Sequence, residues 1–131
     1  LSTAAGKGGY ELTHAFGASQ LMVENGCTSP ELEQLQESMA ASVSKLLDAP
    51  TAGDLEVQAC ALLGWSGRED LVPTGYLEVL ESSQLDDGGW PQVAGEEPGD
   101  PHATVWGLRC QLELEHGADL EPNRWVADPQ G

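Results

Sequence analysis

The stretch Asp54-Leu55-Glu56-Val57-Gln58-Ala59-Cys60-Ala61-Leu62-Leu63-Gly64-Trp65 decides how this 131-residue chain folds. Val57, Ala59, Cys60, Ala61, Leu62 and Leu63 fall on nearly every face of a helix, and a helix that is apolar all round has to be buried. Pro50-Thr51-Ala52-Gly53 interrupts the chain before it, and a loop from Gly67 to Asp70 follows it. The reading is a central helix from Leu55 to about Trp65, opened by Asp54.

Outward from that helix the chain reads as four more helical segments. Upstream, Ser29 is an N-cap, Pro30 suits the first helical position, and Glu31 and Glu33 complement the helix dipole. Leu32, Leu35, Met39, Val43, Leu46 and Leu47 then place one apolar stripe on an otherwise wet helix. Before it, Leu12 to Asn25 carries Leu12, Ala15, Phe16, Ala18, Leu21, Met22 and Val23 and stops at Gly26. Downstream, Pro73 to Gln84 is amphipathic through Tyr76, Leu77, Val79 and Leu80. A Gly/Pro/acid stretch, Asp86 to Gly99, leads to Asp100-Pro101, a cap followed by an N1 proline. The last helix carries Ala103, Val105, Trp106, Leu108, Cys110, Leu112 and Leu114 and ends near Gly117.

Segments one, three and five are apolar on most faces, whereas two and four carry a single stripe. The odd segments start roughly 45 residues apart, the length of a helical-hairpin repeat. The expected architecture is all-α: hairpins stacked so that an inner layer packs on both sides and an outer layer is wetted on one. No strand is strongly signalled. The domain is expected over residues 1–117, with an irregular C-terminal tail over 118–131.

Composition narrows the partners. Twenty-two Asp and Glu against 5 Lys and Arg give a formal charge of −17, which argues against phosphate backbones and anionic membrane surfaces. No run of apolar residues is long enough for a membrane span. Such a surface also suits high salt, where self-repulsion is screened. Leu1 to Gly9 hold no charged-then-apolar leader pattern, and the absence of an initial Met reads as processing or truncation. Three widely spaced cysteines do not make a disulfide scaffold.

The most specific motif is Gln84-Leu85-Asp86-Asp87-Gly88-Gly89-Trp90. Gly88-Gly89 permits a tight turn, Trp90 folds back as an apolar plate, and the Gln84 amide can tie the turn to a neighbouring helix end. The segment resembles the QW repeat of triterpene cyclases and related α/α-toroid proteins. Gln84, Gly88 and Trp90 match its core, and Gly75 and Leu80 its upstream part. Val79 and Thr74 stand where an aromatic and a cation are usual. The resemblance implies a partial α/α-toroid in which the motif is structural, joining an outer helix to the next inner one. It does not carry cyclase activity, because Leu85-Asp86-Asp87-Gly88 does not supply the D-x-D-D stretch of those enzymes. It also implies a ring longer than this chain, so that the chain is an arc, a fragment, or a subunit that completes itself by association.

A second resemblance runs from residue 8 to about 116. Gly8-Gly9-Tyr10-Glu11-Leu12-Thr13-His14 with Gly26-Cys27, Asp54-Leu55 through Leu63-Gly64, Tyr76-Leu77-Glu78 with Gly88-Gly89, and Pro101-His102-Ala103-Thr104 are similar to an uncharacterised family of secreted animal proteins. That family brings no established activity. It implies an extracellular setting and a role beyond the incidental for His14, Cys27 and His102.

Two histidines carry the candidate chemistry. His14 and His102 stand at matching places near the starts of inner helices, each followed by Ala. Helix N-termini keep imidazole neutral, which suits metal binding or general-base work. Asp54 or Glu56, at the start of the intervening inner helix, would complete a His–carboxylate–His set. That makes His14, His102 and Glu56 the acid/base candidates, and His14, His102 and Asp54 the ligands of a zinc-type site. The plainer alternative is two helix-start histidines bonded to backbone or to Asp100. Zinc on Asp86 or Asp87, a cysteine and His102, as in some toroid prenyltransferases, fits the resemblance less well in order and spacing. His116 at a helix C-terminus is accounted for by the dipole. Cys27, Cys60 and Cys110 read as buried small hydrophobes, with a Cys60–Cys110 disulfide open if inner helices adjoin. Trp65, Trp90 and Trp106 read as packing, and the acids of 86–100 as a solvated loop rather than a calcium site. The functional expectation is an acidic domain binding a protein or small ligand on its concave face. A metal-assisted or acid/base enzyme and a piece of a larger toroid are the alternatives.

Overall fold

The computed structural model describes residues 9–120. They form five α-helices: α1 (Tyr10–Glu24), α2 (Pro30–Ser44), α3 (Asp54–Trp65), α4 (Tyr76–Ser83) and α5 (Pro101–His116). Short 3-10 turns follow α2 (Lys45–Leu47), α3 (Glu69–Leu71) and α5 (Gly117–Asp119). The described residues contain no strand, only an isolated bridge between Pro91 and Gly99. Residues 121–131 of the tail expected over 118–131 lie outside the described residues, as do residues 1–8 of the Leu1 to Gly9 stretch in which no leader pattern was read.

The caps read from the sequence are in place. Leu32 N donates to Ser29 Oγ at 3.1 Å, and Ala103 N to Asp100 Oδ2 at 2.9 Å, each ahead of an N1 proline. Helix α3 is central, touching α1, α2 and α5. Val57, Gln58, Ala59, Cys60, Ala61, Leu62, Leu63 and Gly64 are all buried. Its apolar character therefore reflects neighbours on several sides.

Two boundaries move, both through left-handed glycines. Gly9 (φ 77°) starts α1 at Tyr10, two residues earlier than the apolar pattern suggests. A side chain there would meet Leu46 within 2.9 Å, so the position needs glycine for space as well as for φ. Gly75 (φ 84°) delays the start of α4 to Tyr76, trimming it to eight residues.

The Gln84–Trp90 segment joins α4 to α5. Gln84 Nε2 donates to Gly88 O at 2.8 Å, so the amide closes its own turn rather than tying it to a neighbouring helix. Trp90 does that tying. Its indole N–H donates to Leu80 O at 2.9 Å on α4, its amide donates to Thr104 Oγ1 at 3.1 Å on α5, and the ring is fully buried. Gly107 makes room for it, since a Cβ there would lie 2.5 Å from Trp90 Cε3. Asp87 accepts the Gly89 and Gly99 amides, which pulls its carboxyl below the usual range and closes the loop.

The inner layer departs from expectation in one respect. Helices α1 and α5 are covered on one side only: α1 buries Thr13, Phe16 and Ser19, and α5 buries Ala103, Gly107, Cys110 and Glu113. Leu21 and Met22 on α1 and Val105, Leu108 and Leu112 on α5 are exposed. The periodicity reported apolar faces correctly, but sequence cannot say whether a neighbour exists to cover them. Cys60 and Cys110 form a disulfide between α3 and α5 (Cα–Cα 5.4 Å), while Cys27 is exposed rather than buried.

Candidate functional site

The first turns of α1, α3 and α5 meet at one rim. Tyr10 is the first residue of α1, Asp54 the first of α3, and His102 the second of α5. Asp54 joins the three. Its Oδ2 accepts the Tyr10 hydroxyl at 2.8 Å, and its Oδ1 lies 2.7 Å from His102 Nδ1. The Asp54 side chain is 7% exposed and that of His102 is 54% exposed, so a buried anion holds a solvent-facing imidazole. The N-terminal dipole of α3 favours the negative charge there.

Hydrogen bonding assigns the tautomer. Trp106, one turn along α5, points its indole N–H at His102 Nε2 at 3.2 Å, with the rings edge to face. Indole nitrogen can only donate, so Nε2 is the acceptor, and Nδ1 carries the proton given to Asp54. Burial, first, and then the hydrogen bond and charge of Asp54 push the Tyr10 phenol up to about 12, with smaller contributions from Glu56 and Asp100. Tyr10 therefore stays a donor at neutral pH. Asp100 completes the rim: Asp54, Asp100 and His102 each present one donor atom within 4.8 Å of the others.

The sequence candidates divide here. Asp54 and His102 come together. His14 does not join them: with α1 starting at Tyr10 it is the fifth helical residue, a turn beyond the rim and exposed, and Tyr10 takes the place read for it. Glu56 also lies outside the donor group, where its Oε1 accepts the Thr51 hydroxyl at 3.2 Å. The set of Asp86 or Asp87, a cysteine and His102 does not gather either, since among the described residues the donor group around His102 is Asp54 and Asp100. Asp87 spends both oxygens on backbone amides, and Cys60 and Cys110 are tied to each other. Nor does His102 pair with Asp100 or backbone alone, as the plainer reading had it. Tyr10 and Trp106 were missed as site residues. Their signals were present: Gly8-Gly9 ahead of Tyr10 as a helix stop-start, and Trp106 at the i+4 position from His102.

Other cavities lie elsewhere, a groove and a cleft among them. A polar groove of about 750 Å³ runs between Thr51, Ser82, Gln84, Pro91 and Glu97. It is the larger of the two, but its lining holds no imidazole. A cleft of about 440 Å³ lies among Gln20, Glu24, Trp65, Arg109 and Glu113. There Arg109 Nε donates to the buried Glu113 at 2.7 Å, and the Trp65 indole donates to Glu24. Size favours the groove, but chemistry favours the rim, where an imidazole, a buried carboxylate and two aromatic donors are organised by one another. No family model matches the chain, and no curated protein or solved structure matches it.

Proposed function

We propose that this chain is a ligand-binding helical domain whose binding centre is the Tyr10–Asp54–His102–Trp106 rim, with Asp100 at its edge. The observation that carries this is the buried Asp54 carboxylate bracing a half-exposed His102, whose Nε2 lone pair is covered only by a partly exposed indole. A ligand with an N–H or O–H donor can replace the indole at Nε2, while Asp54 keeps the imidazole aligned. The same tautomer suits general-base work, so turnover of a bound ligand would run through His102. A screen of polar fragments, read by nitrogen–proton correlation spectra of the whole chain, tests the reading. Shifts should gather on Asp54, His102 and the Trp106 indole and vanish in His102→Ala. Fragments that instead collect in the groove at Ser82 and Glu97, or at Trp65 and Arg109, would overturn it.

A second reading concerns assembly, and the exposed Leu21 and Met22 on α1 and Val105, Leu108 and Leu112 on α5 favour it. With α3 between them, α1 and α5 form the outer members of a three-helix layer, as in an arc of an α/α-toroid whose ends another subunit or more chain would cover. Sedimentation velocity of the full chain tests completion by association: a monomer at every concentration counts against it. The Cys60–Cys110 disulfide supports an oxidising compartment, where such bonds persist.

A further inference from the structure

We infer that the rim holds a divalent first-row transition ion, zinc being the probe of choice, on Asp54, Asp100 and His102. The inference rests on the rim reading above but places its ligand on the other imidazole nitrogen, Nδ1, between the carboxylates. Three independent features point the same way. The donor atoms of the three side chains lie within 4.8 Å of one another, close enough to share one ion. The Asp54 side chain is 7% exposed, yet the ion pairs among the described residues give it no Lys or Arg; His102 is its one partner of basic type. A carboxylate so enclosed gains from a cation beside it. The donor set is one imidazole and two carboxylates, a mixture that suits zinc, manganese or iron, whereas calcium and magnesium favour all-oxygen sets. His102 is more than half exposed, which leaves an open side for water or a further ligand. The formal charge of −17 raises the local concentration of any cation.

The hydrogen bonds around His102 give the site an internal reporter. In the free protein Nδ1 holds the proton and Nε2 accepts from Trp106. An ion taken by Nδ1 displaces that proton to Nε2, so the imidazole stays neutral and no net proton is lost. Nε2–H then faces an indole N–H, two donors opposed, and the Trp106 ring has to swing away. Tyr10 keeps its hold on the outer oxygen of Asp54 throughout. Metal binding and Trp106 emission are thereby coupled.

Isothermal titration of the chelator-washed full chain with zinc chloride, with tryptophan emission followed in parallel, tests this. The expected result is one saturable site, with a change of emission that disappears in Trp106→Phe. Affinity should fall at least tenfold in His102→Ala and in Asp100→Asn, the latter chosen because Asn still caps α5. Trp106→Phe should bind zinc as tightly as the parent or more so, since the competing indole is gone; a merely structural role for the ring would weaken it. His14→Ala and His116→Ala should change nothing. No saturable site, or one that survives both His102→Ala and Asp100→Asn, overturns the inference. If zinc fails while polar fragments still gather at the rim, the metal alone is wrong; if both miss the rim, the site reading falls with it.

Discussion

The α3–α5 seam and the α1–α3 seam are built from different materials. Between α3 and α5 the backbones approach closely because small residues stand where they meet. Gly64 lies under Glu113, where a Cβ would come within 2.5 Å of the Glu113 Cβ. Cys60 and Cys110 then lock the seam covalently. Between α1 and α3 runs a row of polar contacts: Tyr10 to Asp54, Thr13 Oγ1 to Gln58 Oε1 at 3.2 Å, and Gln20 Nε2 to Trp65 O at 3.4 Å. The first seam is held by close packing and chain entropy. The second is held by directional bonds whose net worth is modest, since each replaces a bond to water. Rigidity is thus concentrated beneath His102, and adaptability lies on the Tyr10 side of the same rim.

Three perturbations sharpen this contrast. Trp90→Ala should cost the most, about 3–5 kcal/mol, because it empties a fully buried site and removes the tie to Leu80. Urea melts of the parent and variant measure it, and a loss under 1 kcal/mol would mean that the α4–α5 junction flanking the seam does not depend on the ring. The double substitution Cys60→Ala/Cys110→Ala should come next. Its loop spans 50 residues of sequence separation, for which chain entropy alone corresponds to about 4 kcal/mol and engineered cases commonly deliver less. Unchanged melting of the double variant would show that packing alone closes the seam.

Tyr10→Phe should cost least, about 1–2 kcal/mol, through one lost hydrogen bond to a carboxylate. It also carries a pH signature. Burial and Asp54 push the folded phenol up to about 12 from its ordinary 10.0, so the fold favours its protonated form. That contribution is full below pH 10 and drains away as pH rises toward 12. Parent stability should therefore fall over this window by more than that of Tyr10→Phe, which retains only the part due to Tyr76, likewise raised by burial. Parallel alkaline melts with identical slopes would refute the Tyr10–Asp54 coupling.

Much of the fold was legible beforehand because its signals are local. Ser29-Pro30 and Asp100-Pro101 announce helix starts through cap geometry, and the all-round apolar run after Asp54 announces a central helix. The site was half legible. His102 and Asp54 were singled out from helix-start positions, but His14 was chosen over Tyr10 because the apolar pattern begins at Leu12, whereas the helix begins where Gly9 turns left-handed. With the start two residues earlier, His14 sits four residues, about 6 Å, along the axis from Tyr10 on nearly the same face. That is enough to move an imidazole off a rim and put a phenol on it.

Taken alone, the sequence determined that the described chain is helical, how many helices it makes, and that the helix from Asp54 to Trp65 lies at the centre. These follow from periodicity and capping, which are carried within a few turns of chain. Only the tertiary structure decided that Cys60 meets Cys110, that Asp54 chooses Tyr10 and His102, and that α1 and α5 show apolar faces to solvent. Those facts depend on which helix lies beside which and at what rotation. Pairing of that kind arises from side-chain volume and backbone approach summed over distant parts of the chain, which no local pattern records.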